Sequence, residues 1–176
     1  MATLIKNKRI AIDSWLQLKA EFAIPASGDV IVPLAVWTAQ REQLVKRAGR
    51  HGVLLENTDD PRVLTADFDR LGLIAVRFPK FVDGRGYSIA RLLRRLGWKG
   101  ELRAVGDVLR DQLFYMTRCG FDAFALRDDQ DPQVALTAFG DFSAPYQPAI
   151  DDGVRLGTPG TTRVGGALAQ LAVNPW

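Results

Sequence analysis

A chain of 176 residues with 47% hydrophobic and 24% charged residues is long enough to fold as one globular domain around a hydrophobic core. One cysteine and one histidine exclude a disulfide framework, a cysteine-ligated iron–sulfur cluster and a His/Cys zinc site built from this chain alone. The net charge of +3 is spread along the chain rather than collected in a basic stripe, and the N-terminus is charged throughout, so we expect a cytoplasmic protein without a nucleic-acid or membrane partner.

Residues 1–28 are predicted to form an extended N-terminal segment. Polar and apolar residues alternate at its beginning, and Asn7-Lys8 suits the turn of a short hairpin. Val30–Val32 is an apolar run typical of a strand, and Pro33 suits the first turn of a helix. The apolar residues that indicate this helix, which ends before Gly49, are Leu34, Trp37, Leu44 and Ala48.

Four further apolar runs follow, and helical patterns separate them. The runs are residues 52–55, 73–78, 102–105 and 121–126, and the helices are residues 62–71, 107–119, 132–139 and one with Ile89, Leu92, Leu93 and Leu96 on one face. Five strands alternating with helices predict a predominantly parallel α/β sheet of about five βα units. A closed barrel needs eight units, so an open sheet is favoured, and a doubly wound sheet and a partial barrel are both compatible with the pattern.

The composition changes near the C-terminus. Residues 1–147 are predicted to form a single α/β domain, whereas residues 148–176 are rich in Gly, Pro and Thr and have little periodicity. We expect this second part to be a peripheral or flexible tail that docks on a partner subunit, which would make the protein a homo-oligomer.

The segment FVDGRGYS, residues 81–88, follows the strand LIAVRF and leads into a helix. Such a junction offers unpaired backbone N–H groups and the positive end of the helix dipole, which favour an anion. Arg85 can bind phosphate, sulfate or carboxylate through two parallel hydrogen bonds. The residues predicted to bind an anion or a cofactor phosphate here are Lys80, Asp83, Gly84, Arg85, Gly86 and Ser88. The alternative is an ordinary turn, in which Asp83 or Ser88 only caps the helix.

A second junction of the same kind lies at residues 106–111, where Asp107 is predicted to cap a helix whose first turn contains Arg110. Arg103 is a charged residue inside an apolar strand, so its side chain needs either an ion-pair partner or a position in the site. The alternative is that Arg103 lies near a strand end, from which its side chain reaches solvent. Because carboxyl ends of parallel strands meet at one edge, we predict one shared pocket lined by Asp83, Arg85, Arg103, Asp107 and Arg110. The motifs indicate neither a metal nor catalytic residues.

The stretch FPKFVDGRGYSIARLLRRLGWKGELRAVGDVLRDQLFYMTRCGFDAFALRDD resembles the core of a bacterial family of unknown function. That family is usually encoded beside sulfite reductase and is often labelled as a candidate oxidoreductase of sulfite reduction, and the resemblance covers about residues 25–147. It implies an accessory protein or oxidoreductase in assimilatory sulfite reduction and cysteine synthesis. Any electron-carrying cofactor, which the sequence does not identify, would be bound noncovalently or held by a partner. The alternative is a non-catalytic adaptor that docks on sulfite reductase or on its electron donor.

Overall fold

A computed structural model describes residues 3–141 and shows a mixed α/β fold built on one eight-stranded sheet. The strands are β1 (Thr3–Lys6), β2 (Arg9–Ile12), β3 (Leu16–Gln17), β4 (Val30–Pro33), β5 (His51–Leu55), β6 (Leu73–Phe78), β7 (Glu101–Gly106) and β8 (Ala123–Phe124). The α-helices are α1 (Leu34–Lys46), α2 (Arg85–Arg95), α3 (Leu113–Arg118) and α4 (Pro132–Leu136), and 3-10 helices cover Pro61–Arg70, Arg110–Gln112 and Thr137–Gly140.

The sheet is mostly parallel, as predicted, but it contains eight strands rather than about five. Its order is β2-β1-β8-β7-β6-β5-β4-β3, so the five predicted strands are consecutive neighbours in the middle. The additional strands come from residues 3–17, which the sequence predicted as an extended segment outside the βα units. Asn7 and Lys8 both adopt positive φ in the predicted hairpin, and its strand β1 pairs antiparallel with β8, while β3 pairs parallel with β4.

The sheet is open and curls into a half-barrel. Strands β2 and β3 form its two edges, yet only Asp13–Trp15 separates them in the chain. A flat sheet of this order would hold its edges about 34 Å apart, since neighbouring strands are about 4.8 Å apart. The chain from Ile12 to Leu16 reaches at most about 14 Å, so the sheet must bend round to bring its edges together. We call residues 13–15 the strap.

Helices cover one face of the sheet. Along β6, Ile74, Val76 and Phe78 point to this face and pack in the main core with helix residues such as Trp37 and Leu93. The alternate residues of the strands form a smaller apolar cluster on the opposite, helix-free face, which we call the inner face. Its members are Ile31, Leu54, Leu73, Ala75 and Val105, with Trp15 of the strap and Ala125 packed against them.

The predicted helix over residues 107–119 is shorter than expected. It begins only at Leu113, after the 3-10 turn Arg110–Gln112, because the side chain of Asp107 bonds elsewhere and does not cap a helix. The pattern over residues 62–71 forms a 3-10 helix from Pro61, and only Ala123–Phe124 of the predicted strand 121–126 pairs within the sheet.

Within residues 3–141, no helix combines the length and apolar character needed to cross a membrane. The predicted tail, residues 148–176, lies outside the described residues.

Candidate functional site

The loops that follow β6 and β7 meet at the carboxyl edge of the sheet. The two strands are direct neighbours and end opposite one another, with Phe78 paired to Gly106. The backbone N–H of Phe81, in the first loop, donates to Asp107 Oδ2 at 2.8 Å, and Gln112 Nε2 donates to the Phe81 carbonyl at 2.7 Å. Asp107 therefore fixes the first loop from the second, and Arg85 and Asp107 lie at the same edge of the sheet as predicted.

Gly106 makes this junction possible. Its φ is +96°, a left-handed conformation that L side chains rarely adopt, and a Cβ atom there would collide with the backbone carbonyl of Phe78. The tight turn lets the backbone N–H of Asp107 donate to that same Phe78 carbonyl at 2.8 Å. The glycine thus locks the end of β7 against the end of β6 and sets the position of the Asp107 carboxylate.

Arg85 is bound by a neighbouring carboxylate. Its Nε and Nη2 donate to Asp83 Oδ1 and Oδ2 at 3.0 and 2.7 Å, and its backbone N–H donates to Oδ1 at 3.1 Å. Asn57, from the loop after β5, also donates to Asp83. The Arg85 guanidinium holds the pKa of Asp83 far below its usual range, with the Arg85 N–H and Asn57 adding to the effect. Asp83 is therefore an anion that occupies the Arg85 fork.

Arg127 links the second loop to the chain that follows β8. Its Nη1 donates to Asp107 Oδ1 at 2.8 Å, and its Nε and Nη2 donate to the two oxygens of Asp129 at 2.6 and 2.7 Å. These hydrogen bonds lower the pKa of Asp129 to about 2, and Asp129 and then Asp107 raise the pKa of Arg127. Arg127 and Asp129 therefore both stay charged near neutral pH. We call Asn57, Asp83, Arg85, Asp107 and Arg127 the strand-end cluster.

Helix α2 begins inside this cluster. Gly84 is its N-cap residue and supplies no side-chain cap, while a Cβ atom at Gly86 would lie 2.5 Å from the Phe78 ring. Gly86 is thus needed for the helix to start so close to the strand. Lys80 and Ser88 are exposed beside it, and Lys80 forms no ion pair with any residue in the described part of the chain. Lys80 lies in the turn before α2, where its carbonyl accepts from the backbone N–H of Asp83 at 3.0 Å, and Arg85 is the first residue of the helix. The positive end of the helix dipole, Arg85 and Lys80 therefore belong to one short exposed segment.

The structure does not bring two of the predicted residues into this group. Arg103 lies on the inner face, where it is 2% exposed and bonds to Glu101 and to Asp13 of the strap. Arg110 points to the chain after α4 and bonds to Thr137 and Asp141.

Asn57 and Arg127 were not among the predicted site residues. Both could have been found by the rule that selected Asp83 and Asp107, because each follows an apolar run. Asn57 comes after β5 and Arg127 after the run that contains β8, so both reach the same edge. Gln112 gave no comparable signal, since its bond to the Phe81 carbonyl depends on a 3-10 turn that the helical pattern concealed.

The fold and the site define an α/β half-barrel protein with an ion-paired polar cluster at the carboxyl ends of its parallel strands. The chain belongs to the family described as "Bacterial protein of unknown function (DUF934)", whose model matches residues 52–156, more than half of the chain. The match includes both loops of the strand-end cluster and confirms the resemblance to a bacterial family of unknown function. Comparisons with curated proteins and with solved structures gave no match.

Proposed function

We propose that the protein is a cytoplasmic accessory protein or oxidoreductase of assimilatory sulfite reduction, and that it binds a small anion or a cofactor phosphate at the strand-end cluster. The observation that carries the anion site is that Arg85, Lys80 and the N-terminus of α2 belong to one short exposed segment. The family resemblance motivates the link to sulfite reduction. Sulfite, sulfate and phosphate all have the charge and the oxygen spacing that an arginine fork accepts.

Binding at this spot requires an exchange of partners. Asp83 holds the Arg85 fork in the free protein, so an incoming anion must replace it. Asp83 would then keep its bond to Asn57 while Arg85 turns to the ligand. Because Arg85 is largely exposed, its pair with Asp83 is screened by solvent, and exchange with a divalent anion is feasible.

Calorimetric titration with sulfite, sulfate and phosphate tests this proposal. We expect Arg85→Ala to abolish binding and Asp83→Asn, which removes the competing charge, to tighten it a few-fold. Arg62→Ala is a matched control, because Arg62 also lies two residues after an aspartate, Asp60, and bonds to it through backbone and side chain. Anion binding that survives Arg85→Ala unchanged, or that Arg62→Ala weakens equally, would remove the assignment.

A second candidate function is that of an adaptor, and one feature of the same loop favours it. Phe81 and Val82 are 50% and 70% exposed, although the backbone of Phe81 is held by Asp107 and Gln112. Two apolar side chains on a fixed loop suit insertion into a partner's pocket, since little loop entropy is lost on binding. An adaptor would dock on sulfite reductase or on its electron donor.

Co-purification with sulfite reductase and with its electron donor separates the two candidates. An adaptor should retain a partner but bind none of the three anions, and Val82→Ser should weaken retention. Val63→Ser is the control, because Val63 is similarly exposed on the 3-10 helix after β5. Equal retention of both variants would rule out the loop as the docking element. A flavin spectrum in the purified protein would instead favour the oxidoreductase.

A further inference from the structure

A groove of about 360 Å³ lies between helix α1 and the connector that joins β3 to β4. Its volume falls within the range of small-molecule sites. Most of its lining is apolar, including Phe22, Ile24, Pro25, Val36 and Leu44. Helix α1 runs back from the carboxyl end of β4 to the amino end of β5, and Arg47 follows its last turn. The groove therefore reaches toward the end of the sheet opposite to the strand-end cluster.

Among the described residues that line the groove, Arg47 is the only charged one. Its Nε donates to the carbonyl of Pro25 at 3.0 Å and its Nη2 to the carbonyl of Gly28 at 2.6 Å. Its Nη1 is buried and has no hydrogen-bond partner among residues 3–141. The nearby Asp29 is already paired with Arg50. Buried donors are almost always satisfied, so an unpaired guanidinium nitrogen beside a groove indicates a missing acceptor.

Two side-chain carboxamides without hydrogen-bond partners in the described chain line the groove together with Arg47. Gln40 and Gln43 both line the groove, and neither side chain makes a hydrogen bond to another residue of the described chain. Helix α1 is kinked at Gln40, whose φ and ψ are −123° and 18°, so the helix changes direction along the groove wall. Among the described residues, the lining thus combines an apolar wall, an arginine whose Nη1 lacks an acceptor and two carboxamides without hydrogen-bond partners, and it contains no carboxylate.

We infer that this groove binds a small carboxylate with an apolar body. The carboxylate would accept from Arg47 Nη1 after a small shift of the side chains that cover it, and from the carboxamide of Gln43. The apolar body would lie against Phe22, Ile24 and Val36 and remove their surface from water. The negative charge of the ligand should contribute to its affinity, because the Arg47 guanidinium bonds only to carbonyl oxygens and has no carboxylate partner in the described chain.

Octanoate and its neutral amide, octanamide, are suitable probes. Calorimetry should show that octanoate binds the wild-type protein and that octanamide binds at least about fivefold more weakly, because the amide carries no charge to pair with Arg47. Chemical shifts of backbone amides, followed by NMR, should change mainly in residues 20–26 and 36–47.

Gln43→Glu is the informative variant, because replacing Arg47 would also release the connector carbonyls that it holds. A glutamate in the groove should weaken octanoate binding roughly three- to tenfold by repulsion between like charges. Gln133→Glu introduces the same charge on α4, outside the groove lining, and should leave binding unchanged. The inference is overturned if octanoate fails to bind, if octanamide binds equally well, or if the two glutamate variants behave alike.

Discussion

Replacing Arg103 with methionine tests whether this buried charge stabilises the half-barrel rather than serving the strand-end cluster. Arg103 donates to Glu101 Oε1 from Nε and Nη2 at 2.9 and 2.7 Å, and to Asp13 Oδ2 from Nη1 at 2.8 Å. Asp13 belongs to the strap, so Arg103 ties the strap to β7. Glu101 has a second partner, Lys6, at 2.6 Å.

The expected cost follows from what the substitution leaves behind. Methionine fills a similar apolar volume, but Asp13 and Glu101 remain as carboxylates whose side chains are only 16% and 7% exposed. Removing one partner of a buried pair typically costs about 3–5 kcal/mol. Because Lys6 still neutralises Glu101 and Asp13 keeps some contact with water, we expect a loss of about 3 kcal/mol, a large fraction of the stability of a typical domain.

Urea unfolding followed by tryptophan fluorescence measures this loss. With a slope of about 2 kcal/mol per molar urea, the midpoint should fall by about 1.5 M. Lys6→Met is the control: the Lys6 side chain is 40% exposed, so its removal should cost at most about 1 kcal/mol. Adding Asp13→Asn to Arg103→Met should restore part of the loss by removing the stranded charge, and anion binding should be unaffected. A midpoint for Arg103→Met within about 0.3 M of wild type would refute the reasoning.

Three further predictions concern His51, Gly106 and Asp29. His51 is buried, and burial lowers its pKa below the usual 6.5, so folding favours the neutral ring. The contribution of His51 to the free energy of unfolding should be complete above about pH 6.5 and fall as the pH drops below it. Unfolding curves of His51→Gln at pH 7.5 and at pH 5.5 should therefore converge. Gly106→Ala should lower the free energy of unfolding in urea by at least about 2 kcal/mol, because Gly106 has a positive φ and its Cβ atom would collide with Phe78. Gly84→Ala is the control and should be nearly neutral, since Gly84 has a φ of −76° and open space around it. Hydrogen bonds from the side chain of Arg50 lower the pKa of Asp29 below its usual 3.8, so this pair should stabilise the fold above about pH 3.8 and lose its effect as the pH falls below that value. Asp29→Asn should therefore be less stable than wild type at pH 7 and approach it in acid.

The sequence predicted the middle of the sheet well because those strands are buried on both faces. Residues 73–78 form β6 as expected, since a run that is apolar except for Arg77 and lies between a Gly and a Pro is typical of a buried strand. The edges were harder to predict. Strand β3 has only two residues, both exposed, and left no local periodic signal. The alternation in β1 indicated a hairpin, but its pairing with β8, more than a hundred residues away, has no local signal.

For the candidate site, the sequence likewise indicated where residues lie along the sheet but not which side chains they contact. Topology alone places Arg85 and Asp107 at one edge, because parallel strands that neighbour each other end together. The ion-pair partner of each charged residue could not be predicted from the sequence, since it depends on the direction in which each side chain points. Arg103 alternates to the inner face and meets Asp13, ninety residues away in the chain, which no spacing rule could have paired with it. Asp107 looked like a helix cap but bonds to Phe81 and Arg127 instead.

The pairing of β1 with β8 affects the order in which the protein can fold during its synthesis. Ile5 pairs with Phe124, so β1 leaves the ribosome long before its partner β8 and finds its place in the sheet only after residue 124 has emerged. Until then the hairpin of β1 and β2 lacks its partner strand, and until residue 103 has emerged the strap also lacks Arg103. Long-range pairings of this kind slow folding and expose unpaired strand edges. The half-barrel therefore closes last at a hairpin that is made early, and a nascent chain that has not yet reached residue 124 should be open to proteases at β1 and β2.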